Sequence, residues 1–337
     1  MGPDVKQDVL EDNLRMVELW REDLVDFQGL TPHTVTNYVG DGRRAAEILA
    51  AHGTRFTGLN RLALRAYFTA VQQEADRPEG LSHARMKGLF TALNSLMEFL
   101  VYEEHTLANP VPAFRKRYLK PYKADASSAT PRQVPSDEDI RALIQSVQDP
   151  MHRAIHMVFA KTGIRRGELC SLNLESVDLV EGRLTLPPKR KRSGRLIPID
   201  LELATVLTAY LNRLPLYARA EGERALFTGR TGKRIGRNRV YDIVVTPAIR
   251  AGLHDTSTDR LEQHTKFTPH HYRHWLTTKL RQNGCSERVI RAIRGDADHS
   301  TADRYDHVTW ETIQLEYQAA FQGLSGFELT LDEKERG

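Results

Sequence analysis

Residues 82–102 carry the feature that most limits how this chain can fold. Met86, Leu89, Phe90, Leu93, Leu96, Met97, Leu100 and Val101 recur at helical spacing as one wide apolar stripe. Such a helix needs other elements to cover it. Suitable partners precede it. Leu14, Val17, Trp20, Leu24 and Phe27 share a face of residues 11–28, ended near Gly29. Thr31 offers an N-cap with Pro32 at the first helical position. The run that follows, through Val35, Tyr38, Ala45, Ile48 and Leu49, stops at Gly53. A third helix spans about 61–75, Ser82 caps the fourth, and Asn109-Pro110 ends it. Four amphipathic helices of this length make a small bundle, and residues 11–114 are assigned to it.

Residues 115–135, RKRYLKPYKADASSATPRQVP, read as a linker because Pro, Ala and Ser in that mix argue against a packed element. Arg115, Lys116, Arg117, Lys120 and Lys123 crowd its start, which suits contact with a phosphate backbone. Ser136 with Asp139 then forms a capping-box variant. Helices are expected over 136–147 and 150–162, with Gly163 as C-cap. Residues 183–186 and 195–199 read as strands flanking a basic turn, PPKRKRSG. A helix over about 201–214 stops at Pro215, and a basic loop from 226 feeds another around 240–248. The fold class is therefore mainly α: a four-helix bundle-like domain, then an α+β domain over 136–325 with a small antiparallel sheet. Residues 326–337, polar and charged, read as a flexible tail.

A chain of 337 residues has room for two cores. Lys and Arg exceed Asp and Glu by only 48 to 44, so charge alone does not imply nucleic acid. Placement does: basic density peaks at 183–195 and 230–239, making Lys191, Arg192, Arg237 and Arg239 candidate DNA contacts beside Arg115, Lys116 and Arg117. Cys170 and Cys285 stand far apart, which suggests neither a disulfide framework nor a zinc site, and points to a reducing compartment. No apolar run reaches transmembrane length, and the acidic N-terminus is not a signal peptide. The expected location is cytoplasmic, with no membrane partner. No P-loop and no carboxylates at metal spacing occur, so neither metal nor nucleotide cofactor is expected.

The chemistry lies in two boxes. His270 and Arg273, in PHHYRHW, stand three apart and share a helix face. A guanidinium fork with an imidazole beside it can hold a phosphate. Tyr305 follows a polar, turn-rich segment. The second box, TGIRRGELCSL, covers residues 162–172. Together these resemble the tyrosine recombinase (phage integrase) family, which cuts and rejoins DNA through a phosphotyrosine bond. Thr162, Gly163, Arg165, Gly167, Glu168 and Leu169 match its T-G-x-R-x-[GS]-E-L box. Pro269, His270, Arg273 and His274 match P-H-x-x-R-H, and Tyr305 with His307 match Y-x-H. One position departs: where the family usually has His or Trp, nine residues before the nucleophile, this chain has Asp296.

The resemblance implies roles. Arg165 and Arg273 would stabilise the five-coordinate phosphate. Tyr305 would attack phosphorus and join the 3′ end. A free phenol has a pKa of about 10, so cations or a base must help, and His270 is the candidate. The hairpin Lys would protonate the leaving 5′ oxygen. Counting from Gly182 points to Lys189, while counting back from Pro198 falls between Lys189 and Lys191; Lys189 is the favoured general acid. Asp296 would orient His270 or Arg273, or His299 would take the missing role. The first domain would be the core-binding, SAM-like domain that grips double-stranded DNA. Ile313, Tyr317, Ala320, Phe321 and Leu324 recur at helical spacing. The stripe needs a surface. Either its own domain covers it or, as the resemblance implies, it docks into a neighbouring subunit and links a homo-tetramer on two DNA sites. In the latter case loss of 311–337 would leave a folded, DNA-binding protein that assembles and recombines poorly. The alternatives are a type IB-like topoisomerase and a DNA-binding protein without catalysis.

Overall fold

The computed structural model describes residues 3–73, 81–119, 134–188, 194–256, 266–296 and 308–321. The chain divides into two units, residues 1–129 and 130–337.

In the first unit the helices are α1 (Pro3–Glu22), α2 (Pro32–Ala51), α3 (Arg61–Gln73), α4 (His83–Tyr102) and the short α5 (Val111–Phe114). The Thr31 hydroxyl accepts from Thr34 N–H to start α2, and Ser82 does the same for Arg85 N–H at α4. The stripe of α4 is the centre of the core: Met86, Leu89, Phe90, Leu93, Leu96, Met97 and Leu100 are buried with Val17, Trp20, Leu24, Leu49 and Tyr67. Two boundaries differ from expectation. The first helix begins at Pro3, and Val9 carries its buried face upstream of residue 11. Helix α4 stops at Tyr102, ahead of the Asn109-Pro110 pair. Asn109 instead serves the next element, its Oδ1 accepting from Val111 N–H while its Nδ2 donates to Asn94. The expected linker also starts folded. Arg115–Leu119 makes a π-helical turn with Leu119 buried, and Arg65 donates to the Tyr118 hydroxyl.

The second unit opens with α6 (Asp137–Ser146), where Ser136 and Asp139 exchange both capping-box bonds. Then follow α7 (Pro150–Thr162), α8 (Arg166–Leu169), β1 (Val177–Asp178), β2 (Arg183–Leu186), β3 (Arg195–Pro198) and α9 (Leu201–Leu211). The unit closes with α10 (Arg237–Arg250), α11 (Pro269–Gln282), α12 (Glu287–Arg294) and α13 (Trp310–Ala320). The three strands form one antiparallel sheet in chain order, with Leu184 opposite Ile197 and Leu186 opposite Arg195. Alternation puts Leu184 and Leu186 into the core while Thr185 faces out. No described helix is long and apolar enough to cross a membrane.

Of the two surfaces open to the last stripe, its own unit is the one that covers it: Ile313, Tyr317 and Ala320 of α13 are buried in that unit's core. Tyr317 donates to Lys161 O across 2.8 Å, and Asn283 Nδ2 donates to Ala320 O. Phe321 stacks on Tyr317 and lies 4.3 Å from the Lys161 ammonium. Leu324 and the tail beyond it lie outside the described residues.

Candidate active site

Helix α7 ends at Gly163, whose φ of +57° breaks the helix. A Cβ there would stand 2.9 Å from Leu276 Cδ2 of α11, so glycine also permits the approach of the helix that carries Arg273. The chain turns at once into α8. Its first turn is pinned by Glu168, whose Oε2 accepts from Arg165 N–H at 2.8 Å. Glu168 also pairs with both Nη atoms of Arg195 on β3. Burial raises the Glu168 carboxyl, but the bonds from Arg195 and from the Arg165 backbone outweigh it and bring it down to about 2. The T-G-x-R-x-G-E-L box is thus a device for ending one helix and aiming one arginine.

Arg273, on the first turns of α11, is almost fully buried. Its Nη1 donates to Gly163 O at 2.9 Å and its Nη2 to Arg294 O at 3.0 Å. Arg165 Nη1 donates to the same Arg294 carbonyl at 3.1 Å. The two guanidiniums then converge on one carboxylate oxygen: Asp296 Oδ1 lies 2.7 Å from Arg273 Nη2 and 2.9 Å from Arg165 Nη2. Arg294 Nε lies 2.7 Å from the other oxygen, Oδ2. Burial, then repulsion from Arg165, lowers Arg273 to about 10, which leaves it charged at neutral pH. Burial raises the Asp296 carboxyl, yet Arg273, Arg294 and Arg165 together hold it below the usual carboxylate range. Among the described residues, four guanidiniums face two carboxylates here, a formal +2.

The structure therefore brings Arg165 and Arg273 together, 108 positions apart in sequence, and of the partners weighed for Asp296 it selects Arg273 while adding Arg165. His270 sits exposed on the first turn of α11, its ring edge-on to His274 at 4.6 Å. Arg237 opens α10 with its guanidinium against Gly167, and Arg239 is exposed on the same helix. In the first unit Lys116 and Arg117 are exposed, while Arg115 bonds Thr91. Lys189, Lys191, Arg192, His299, Tyr305 and His307 lie outside the described residues. Sequence reasoning missed Arg294 and Arg195. Arg294 stands two positions before Asp296, but only the left-handed Gly295 between them turns both inward.

The phage integrase family profile matches residues 135–311, more than half of the chain. The chain belongs to the phage integrase family. Within this family of tyrosine recombinases, tyrosine recombinase XerC of Myxococcus xanthus is 27% identical over 317 residues, covering 90% of this chain and 97% of that one. Tyrosine recombinase XerD of Bifidobacterium longum is 28% identical over 302 residues, covering 85% and 90%. Among solved structures, a lambda integrase dimer bound to a core site aligns with a TM-score of 0.62 at 15% identity, over 87% of this chain and 94% of that one. The Tn1549 transposon integrase bound to transposon right-end DNA aligns with a TM-score of 0.62 at 15% identity, over 90% and 98%. These alignments show a shared integrase fold. The span the family profile matches contains Arg165, Arg273, Asp296 and Tyr305.

Proposed function

We propose that this chain is a site-specific DNA recombinase in which Arg165 and Arg273 hold the scissile phosphate and Tyr305 is the nucleophile. The observation that carries the reading is the convergence of both Nη2 groups on a single anionic oxygen. A phosphate oxygen placed there would accept from both, and the pair would bind the added charge of the five-coordinate state more tightly than the ground state. The Tyr305 oxygen forms a bond to phosphorus, the bond from phosphorus to the 5′ oxygen breaks, and a 3′-phosphotyrosine results. The proton lost by the phenol goes to His270, and the 5′ oxygen receives one from the hairpin lysine, Lys189 or Lys191. One phosphoester replaces another, so rejoining needs no external energy.

The partner is a double-stranded recombination site. The exposed cations Lys116, Arg117, Arg237 and Arg239, with Arg115, Lys191 and Arg192, follow its phosphates. Residues 11–114 act as the core-binding domain, 115–135 as a basic linker and 136–325 as the catalytic domain, in a cytoplasmic protein. A lambda integrase tetramer bound to a Holliday junction, with a TM-score of 0.62 and 16% identity, supports assembly as a homo-tetramer on two sites. Recombinases among the relatives favour this reading over a topoisomerase or a silent DNA binder. The test is a labelled duplex nicked beside the cleavage position. Wild-type protein is expected to form a covalent adduct, and Tyr305→Phe to bind the duplex equally well without forming one. An adduct in that variant would remove Tyr305 from the role.

A further inference from the structure

Asp296 stands where the family usually places an imidazole or indole, and no step above uses it. Its carboxylate is set by backbone geometry. Helix α12 ends at Gly295, which takes φ +58°, and a Cβ there would stand 2.5 Å from Arg195 Nη1. Only glycine lets the chain turn at that point with Arg195 so close. The turn delivers the next side chain onto the arginines. Backbone carbonyls of Gly163 and Arg294 take three of the donors on Arg165 and Arg273. Besides the Arg294 carbonyl, which Arg165 Nη1 and Arg273 Nη2 share, the two Nη2 groups meet at Asp296 Oδ1, which accepts from both.

We propose that Asp296 is an intramolecular competitor for the scissile phosphate: without DNA its carboxylate fills the anion seat of Arg165 and Arg273, and phosphate must displace it before cleavage. The proposal rests on the assignment of that seat to phosphate. Carboxylate and phosphate offer guanidinium the same pair of acceptor oxygens, so one can replace the other without moving either arginine. Two anions do not share one oxygen position, however, so Asp296 leaves when phosphate arrives. It can leave without opening the core, because it is a quarter exposed while Arg273 is nearly sealed. The third cation, Arg294, is held by Thr277 through Nη1 and pairs with Oδ2. It remains to compensate whichever anion is seated. The carboxylate also explains how neighbouring guanidiniums stay packed together in the free protein, where their repulsion would otherwise push them apart.

The test uses the full DNA-free chain and inorganic phosphate as probe. By calorimetry, Asp296→Asn is expected to bind phosphate at least tenfold more tightly than wild type, about 1.4 kcal/mol or more. Arg273→Ala placed on that background is expected to abolish the gain. Unchanged or weaker phosphate binding by Asp296→Asn would overturn the proposal and make Asp296 a permanent orienting group. If Asp296→Asn does not fold in a phosphate-free buffer, phosphate is expected to restore its melting transition; no restoration would equally overturn it. The adduct assay with wild-type protein separates the two levels. An adduct at Tyr305 with no phosphate gain in Asp296→Asn removes the competitor and leaves the recombinase. Tighter phosphate binding by Asp296→Asn with no wild-type adduct keeps the seat and its competitor, and removes the cleavage reaction.

Discussion

Tyr317 offers a quantitative test of whether α13 is held on its own unit. Its ring is fully buried and its hydroxyl donates to Lys161 O. That carbonyl lies in the last turn of α7, where acceptors lose their intrahelical donors. Arg165 N–H, which would have closed the next turn onto it, is bonded to Glu168 instead. Tyr317→Phe therefore strips a buried carbonyl of its donor, at a cost of about 1–3 kcal/mol. Tyr317→Ala adds the loss of a buried aromatic ring, about 3–5 kcal/mol. It also removes the surface on which Phe321 stacks. Because the chain has two units, a single unfolding midpoint would mix them. Amide exchange read separately on α7 and α13 isolates the effect. Both helices are expected to lose protection, by roughly ten- to hundredfold in Tyr317→Phe and more in Tyr317→Ala, while α2 and α4 stay unchanged. Protection of α13 in both variants equal to wild type would refute the docking. Deletion of 311–337 is accordingly expected to damage the second unit itself, contrary to the folded protein expected if the segment docked on a neighbour.

Two further outcomes follow from buried groups in the same unit. His156 is sealed between the Tyr272 hydroxyl and Ile243 O, and burial lowers its pKa to about 4. Above the unfolded value of about 6.5 it contributes no pH dependence. As pH falls from there towards 4, only the unfolded state takes up the proton, so stability drops by about 1.4 kcal/mol per pH unit, roughly 3 kcal/mol in all. Denaturant titrations of wild type and His156→Gln over that window are expected to show the extra slope in wild type alone; parallel slopes would refute it. Gly163→Ala puts a Cβ against Leu276 at a φ of +57°, costing about 1–2 kcal/mol for the backbone plus the displacement of Leu276. The adduct yield should fall with it, because Gly163 O holds Arg273. A variant with wild-type melting and wild-type adduct formation would show that the approach of α11 tolerates a methyl group.

Local signals were legible in the sequence wherever a residue acts on its own neighbours. Ser82, Ser136, Thr31 and Gly163 mark helix ends by hydrogen bonds or dihedral angles that reach at most three residues. The stripe of α4 and the alternation of β2 declare which faces are buried, since periodicity is a property of the chain. The two arginine boxes could be read because each is short and contiguous. What joins them could not. Arg165, Arg273, Arg294 and Asp296 meet through α7, α11 and the left-handed end of α12, and no spacing in the chain encodes that meeting. The choice among partners for Asp296 was likewise a matter of distances between elements, as was the choice of a surface for the stripe of α13. A sequence shows that such a stripe needs covering; only packed neighbours, here Lys161 and the core around it, decide what covers it. Hydrogen bonds within a turn follow from local residue identity, whereas charges brought together from distant segments depend on how whole helices pack.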